Sequence, residues 1–283
     1  MSNTWSLNYA PHISFRGRGL FADSAGDDPV DQVNFAADQG FAGVQDVIAS
    51  QRSSGEQTRI GDALAARGLK AGCFGLPLPK QPFEWAGVGP EEWPQLRDAA
   101  RAGIDIARRI HSQRVAVVSA ATPLVPKWMQ LSNFAENLKV VADVLTPAGI
   151  TLVLEATDER RLPGMLMQQL QDAYFVVRMA NHEGVRLIFD TGHSQAMDGS
   201  LITNFRFVRD LVAGVQIADV PGRLEPGAGE INFETFFAEL IGQGIDDLVE
   251  LEHLWSEPGA ETEAKGLRTL RELDARAAAR AGK

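Results

Sequence analysis

The sequence predicts an α/β fold closed as a (β/α)8 TIM barrel, one domain over residues 1–283. Three observations carry that expectation. Strand-like apolar runs alternate with amphipathic helical stretches along the whole chain. Eight such pairs fit the roughly 250 residues that a barrel of this kind occupies. Polar residues end four consecutive runs in the second half, where the rim of a barrel would gather them. Regular β-then-α order calls for a parallel sheet. The competing α/β arrangement, an open doubly wound sheet, expects a glycine-rich first turn. Gly17-Arg-Gly19 has no third glycine at the right offset and does not join a strand directly to a helix.

In chain order, the strand candidates are Ser6–Ala10, Gly43–Val47, Lys70–Gly75, Arg114–Val118, Thr151–Glu155, Val185–Asp190, Val212–Ile217 and Asp247–Glu252. Helical spacing follows most of them. Leu96, Ala100, Ala107 and Ile110 form one stripe. Phe134, Leu138, Val141 and Leu145 form a second, which ends before Pro147 and Gly149, and Leu267, Leu270 and Leu273 mark the last helix.

Composition bounds the setting. A chain that is 45% hydrophobic, without a long low-complexity tract, can bury a barrel-sized core. Met1-Ser-Asn-Thr-Trp-Ser6 lacks a basic segment followed by an apolar one, and no run of about 18 apolar residues occurs, so a cytoplasmic protein without membrane association is expected. The net charge of −10 argues against nucleic acid as a partner. A small-molecule substrate is expected, and the oligomeric state, homo-oligomer included, is left open. The one cysteine, Cys73, lies in Ala71-Gly-Cys-Phe74 and reads as a packed core thiol.

The chemistry sits at the strand ends. Glu155, Asp190, Gln216 and Glu252 each stand at or next to the last position of an apolar run, and burying such a charge without a partner costs several kcal/mol. A cation is therefore expected among them. Three carboxylates and an amide oxygen form a hard ligand set that suits Mg²⁺ or Mn²⁺ better than zinc or copper. Barrel enzymes build their sites at the C-terminal rim of the strands, so residues on the fifth to eighth strands converge there. The three-residue offset of His193 from Asp190 adds a D-x-x-H pair, and His12 stands at the first rim as a substrate contact.

Three segments resemble hydroxypyruvate isomerases and their relatives in the xylose-isomerase-like, sugar-phosphate isomerase/epimerase superfamily: Leu154-Glu-Ala-Thr-Asp-Glu-Arg-Arg-Leu-Pro-Gly164, Phe189-Asp-Thr-Gly-His-Ser-Gln195 and the stretch from Gln216 to Asn232. The first half of the chain matches only in its βα rhythm and in Gly40-Phe-Ala-Gly-Val44. The resemblance implies that Glu155, Asp190, Gln216 and Glu252 bind a divalent metal and that the two glutamates also move a proton. It further implies that His193 holds a substrate oxygen and that Asp219 and Arg223 belong to the rim. Close relatives read Pro-Ile-Asn and then Arg-Asp after the first ligand, where this chain has Ala156-Thr-Asp158 and Arg160-Arg161, and the last ligand is followed by His253 in place of tyrosine. Asp158 thus stands as a substrate-binding candidate in a rebuilt pocket, and the roles of Gln45, Arg160, Arg161, Glu250 and His253 stay open.

The activity this implies is isomerisation of a hydroxypyruvate-type keto acid or short ketose. A proton leaves the carbon beside a carbonyl and returns to its neighbour, with Glu155 and Glu252 as the two proton carriers across an enediolate. A metal-dependent lyase or dehydratase on the same scaffold would expel a leaving group from the same enolate, and a non-catalytic barrel is the reading from another class. A three-zinc nuclease fails on ligand count, because the chain has only His12, His111, His182, His193 and His253. The glycine-rich Gly222–Gly229 stretch lacks the Lys and Ser/Thr of a phosphate loop and reads as a flexible active-site loop. Trp5, Phe15, Phe74, Trp85 and Trp255 read as core more readily than as pocket wall.

Overall fold

The computed structural model describes residues 5–78 and 83–282. Residues 1–4, on which the reading of the N-terminus partly rests, lie outside them. Nine strands occur among the described residues: β1 Asn8–Pro11, β2 Gly43–Val44, β3 Lys70–Ala71, β4 Phe74–Gly75, β5 Arg114–Val117, β6 Thr151–Leu154, β7 Val185–Asp190, β8 Val212–Ile217 and β9 Leu248–Leu251. All pairings are parallel, in the order β1-β9-β8-β7-β6-β5-β4, with β2 paired to β3. Backbone bonds outside these ladders complete the ring. Ala42 N–H donates to Tyr9 O at 3.0 Å and Gln45 N–H to Pro11 O at 2.9 Å, which joins β1 to β2, while Gly75 N–H donates to Val47 O at 3.1 Å. The result is the expected TIM barrel, with its third position shared by β3 and β4.

That shared position departs from the single run Lys70–Gly75, and the reason is local. The N–H of Cys73 donates to Glu250 Oε1 at 2.6 Å instead of to a neighbouring strand, so the ladder stops on either side of it. The same carboxylate explains the glycine beside it: a Cβ on Gly72 would meet Glu250 Oε1 at 2.5 Å.

The helices follow the apolar stripes. Trp93–Ile110 buries Leu96, Ala100, Ala107 and Ile110 together with Ala99, Gly103 and Ile106. Lys127–Leu145 buries Phe134, Leu138, Val141 and Leu145, then gives way to a turn containing Pro147 and to Gly149 at φ 75°, a left-handed position that favours glycine. The last helix, Ala260–Arg280, buries Leu270 and Leu273 and leaves Leu267 half-buried. No helix among the described residues is long and apolar enough to cross a membrane.

Strand side chains alternate between two environments because successive residues point to opposite faces. Leu152, Leu154, Leu187, Phe189, Val215 and Ile217 join the core between sheet and helices. Val153, Ile188 and Cys73 form a second, smaller cluster. Two residues beyond Val153 comes Glu155, and two beyond Ile188 comes Asp190. The period of the pleat therefore places both carboxylates above an apolar plug on the inner face, at the end where the strands stop.

Candidate active site

Each polar strand end is fixed by backbone bonding. Glu155 N–H donates to Val117 O at 3.2 Å and Glu252 N–H to Ile217 O at 3.1 Å, which extends the β6 and β9 pairings by one residue each. Asp190 closes β7 and caps the short helix Thr191–Met197, its Oδ1 accepting the His193 N–H at 2.7 Å. Registers pair Asp190 with Gln216 and Gln216 with Glu250, so Glu252 stands two residues further toward the rim than the level of Gln216.

The cation expected among the carboxylates includes one the chain supplies itself. Arg223 is buried; its Nη2 donates to Asp190 Oδ2 and to Glu252 Oε2, both at 2.9 Å, and its Nη1 to Asp190 Oδ1 at 3.2 Å. Asp219 builds the loop that delivers it. The Asp219 carboxylate accepts the N–H groups of Val220 at 2.9 Å and Ile231 at 3.0 Å on one oxygen, and of Gly227 at 3.1 Å and Gly229 at 2.8 Å on the other. Fully engaged in this way, Asp219 shapes the rim from beneath and presents no free oxygen to a substrate. The Gly222–Gly229 stretch, expected to be flexible, is instead held by the Asp219 side chain through the N–H groups of Gly227 and Gly229.

One guanidinium against three carboxylates leaves two negative charges unbalanced. Burial, then the nearby Glu252 and Asp190, push Glu155 well above the ordinary carboxylate range. Burial also raises Glu252, to about 7, against the opposing pull of Arg223. For Asp190 burial acts upward too, but Arg223, His193 and the hydrogen bonds to both outweigh it and hold the group below its usual value. Two buried oxygens in this group, Glu155 Oε1 and Gln216 Oε1, have no hydrogen-bond partner among the described residues.

His193 is fixed in one tautomer. Its Nδ1 accepts the N–H of Asp158 at 2.9 Å, so in the neutral ring the proton sits on Nε2, which faces Glu155 Oε1 at 3.6 Å. Burial first, then Arg223, lower its pKa to about 4, which keeps the ring neutral. Donor atoms of Glu155, Asp190 and His193 lie within 4.8 Å of one another. Asp158 reaches the site through its backbone, while its side chain accepts Arg160 Nε at 3.0 Å. His12 has both ring nitrogens engaged: Nδ1 accepts the Phe15 N–H at 3.2 Å and Nε2 bonds His253 O at 3.0 Å. Contact between His12 and a substrate oxygen would require one of these bonds to open.

Beneath this layer lies a second carboxylate whose role the sequence left open. Glu250 Oε1 accepts the Cys73 N–H, and its Oε2 accepts Gln45 Nε2 at 2.9 Å, Gln216 Nε2 at 3.0 Å and the Cys73 thiol at 3.1 Å. Gln45 and Cys73 thus belong to the structure under the site. The bond to Glu250 turns the Gln216 amide so that its nitrogen faces down and its oxygen is left free. Burial, then Glu250, raises the Cys73 pKa well above the ordinary thiol value, so Cys73 is a protonated donor and not a nucleophile.

A cavity of about 610 Å³ opens beside the carboxylates, with His193, Arg223, Asp158, Arg16, Arg161 and Glu230 in its lining. Phe15 packs against a lining residue: the guanidinium of Arg223 lies 5.5 Å from its ring centroid. Phe74 and Trp85 are fully buried core, as the sequence suggested, and Trp5 and Trp255 pack half-buried against it.

Comparison with known proteins places the arrangement. The family described as xylose isomerase-like TIM barrel matches residues 33–273. Hydroxypyruvate isomerase of Escherichia coli (strain K12) is 27% identical over 242 residues, covering 83% of this chain and 90% of that protein. A 2-oxo-tetronate isomerase of Haemophilus influenzae is 29% identical over 228 residues, covering 79% of this chain and 87% of that one. Among solved structures, a protein titled AP endonuclease, family 2, from Brucella melitensis superposes with TM-score 0.81 at 24% identity over 94% of this chain and 99% of its own. That likeness shows the fold alone.

Proposed function

We propose that this chain, which belongs to the xylose isomerase-like TIM barrel family, is an isomerase of a small hydroxy-carbonyl compound, either a hydroxypyruvate-type keto acid or a short ketose. Relatives named hydroxypyruvate isomerase and 2-oxo-tetronate isomerase support that class of reaction. In this reading Mg²⁺ or Mn²⁺ is held by Glu155, Asp190, Gln216 and Glu252. The observation that carries it is the pair of buried, unpartnered oxygens, Glu155 Oε1 and Gln216 Oε1, beside two carboxylates already drawn together by Arg223. Buried polar atoms are nearly always partnered, and hard oxygen donors are what these cations take.

When bound, such a cation supplies Lewis-acid stabilisation to the oxygen that becomes negative as the proton leaves. The chain's own residues account for the rest. Glu155 and Glu252 stand just past the ends of different strands, β6 and β9, and both have their proton affinity raised by burial. One takes the proton from the carbon beside the carbonyl and the other returns a proton to the neighbouring carbon, while the substrate's hydroxyl proton passes to the former carbonyl oxygen so that carbonyl and hydroxyl exchange places. Neutral His193, locked with its proton on Nε2, donates to a substrate oxygen without adding a competing base. Arg223 keeps Asp190 ionised and fixes the position of Glu252. Fully engaged Asp219 maintains the loop that holds Arg223 in place.

The test is conversion of hydroxypyruvate, 2-oxo-tetronate and short ketoses, followed by NMR, with added Mn²⁺ and after treatment with a chelator. Turnover of at least one compound, lost on chelation and restored by Mn²⁺, is expected. Turnover that ignores the chelator removes the metal from the account, and products of β-elimination replace the isomerase with the lyase.

A further inference from the structure

Three guanidinium groups that line the cavity gather around one ring, that of Phe15. The carbon centres of Arg16, Arg161 and Arg223 lie 6.0, 5.9 and 5.5 Å from the Phe15 centroid. Their situations differ. Arg223 is committed to Asp190 and Glu252, and the neighbouring Arg160 is paired with Asp158. Arg16 and Arg161 line the same cavity without an ion pair among the described residues. Arg161 is only half-exposed, and burial followed by repulsion from Arg223 and Arg16 pulls its pKa down to about 10. A cation placed beside two others and partly withdrawn from water, while the nearby carboxylates Asp190 and Glu252 are bonded to Arg223, is one that an anionic ligand would stabilise. The planar donors of arginine match the oxygens of a carboxylate or phosphate.

The size of the cavity agrees. Pockets of about 300–1,000 Å³ take ligands much larger than a three-carbon acid, so there is room for a substrate that reaches from His193 to the mouth. Along its wall, Glu230 is the remaining acid named, and it receives Gln195 Nε2 at 3.4 Å.

We infer that Arg16 and Arg161, held against the Phe15 ring, form an anion subsite that receives a terminal carboxylate or phosphate at the end of the substrate remote from its reacting carbons. The inference rests on the isomerase reading for where the reacting carbons lie, and it narrows the substrate to a hydroxy-carbonyl compound with an anionic terminus.

The experiment is calorimetric titration of the full-length protein with inorganic phosphate and with glycolate, using ethylene glycol as the neutral control. Arg161→Met and Arg16→Met are measured alongside, with melting temperatures to confirm folding. Arg16 is exposed, so its variant keeps the test valid if Arg161→Met folds poorly. Saturable binding of at least one anion, none of the glycol, and a loss of about tenfold or more in affinity in each variant are expected, the size following from removal of a charge-assisted hydrogen bond. The tighter of the two anions names the terminal group. Anion binding that is absent from the parent protein, or as tight in both variants as in the parent, overturns the subsite. Glu155→Gln, titrated in parallel, keeps anion binding, so failure of the subsite and failure of the proton-transfer reading give different patterns.

Discussion

Glu250 and Glu252 stand two residues apart on one strand and face the same side of it, yet they live in opposite chemical circumstances. Glu250 receives four donors, from the Cys73 backbone, the Cys73 thiol, Gln45 and Gln216. Glu252 receives one arginine, shared with Asp190, and lies beside Glu155, whose Oε1 has no partner. The deeper carboxylate is satisfied by the protein and the outer group of carboxylates is not. A buried carboxylate with its hydrogen bonding complete ties strands together, whereas one left short of donors is available to a cation, a proton or a substrate. Burial raises the proton affinity of both, so burial alone does not separate them; the donor count does.

The contrast is tested most strongly by removing one outer carboxylate's charge while keeping its shape. Glu155→Gln is expected to lower turnover by roughly 10²- to 10⁴-fold, the usual contribution of a positioned proton carrier, with the melting temperature unchanged or raised. A variant that melts several degrees lower and keeps its activity would make Glu155 a structural residue. Next in size, Glu250→Ala strips the donors of Gln45, Gln216 and Cys73 of their common acceptor. We expect it to destabilise the fold by about 2–4 kcal/mol in urea unfolding, because buried donors left without a partner are costly. Stability within about 0.5 kcal/mol of the parent, the range of ordinary surface changes, would show that the donors find other partners. Smallest is Cys73→Ala, which deletes one weak donor and leaves the others in place. A loss of about 1 kcal/mol with activity retained is expected, and abolished activity would reveal chemistry at the thiol.

Much of this architecture was legible in the residue pattern. β7 and β8 match the sequence reading residue for residue, because each is a mostly apolar run with a polar residue at or next to its end. The other strands, the third apart, shift by a residue or more at their ends. Glu155 and Asp190 could be assigned to a common rim because each stands at the end of an apolar strand run, and barrel sites form where the strands end. The third strand was read as unbroken because its interruption is imposed by Glu250, 177 residues away from Cys73. For the same reason Cys73 looked like inert filling: an apolar neighbourhood in sequence does not show a carboxylate arriving from across the barrel. Register is equally silent in a single strand, so nothing in Asp247–Glu252 said that Glu250, and not Glu252, would stand level with Gln216. Asp219 lay in a segment whose resemblance placed it at the rim, but the four backbone N–H groups that donate to its carboxylate depend on the closed path of the loop. Arg223 was identified by resemblance, while its place between Asp190 and Glu252 is a product of that loop.

The most direct measurement of the central claim is solvent-deuterium incorporation at the carbon beside the carbonyl, followed by NMR in deuterated water on a compound the parent protein converts, for Glu252→Gln and Glu250→Gln side by side. The account predicts that Glu252→Gln loses incorporation by about 10²-fold or more while its melting temperature holds, and that Glu250→Gln keeps incorporation within about tenfold of the parent while melting lower. The reverse pattern, with Glu252→Gln exchanging normally and Glu250→Gln folded but inactive, would contradict it and move the proton chemistry to the deeper carboxylate.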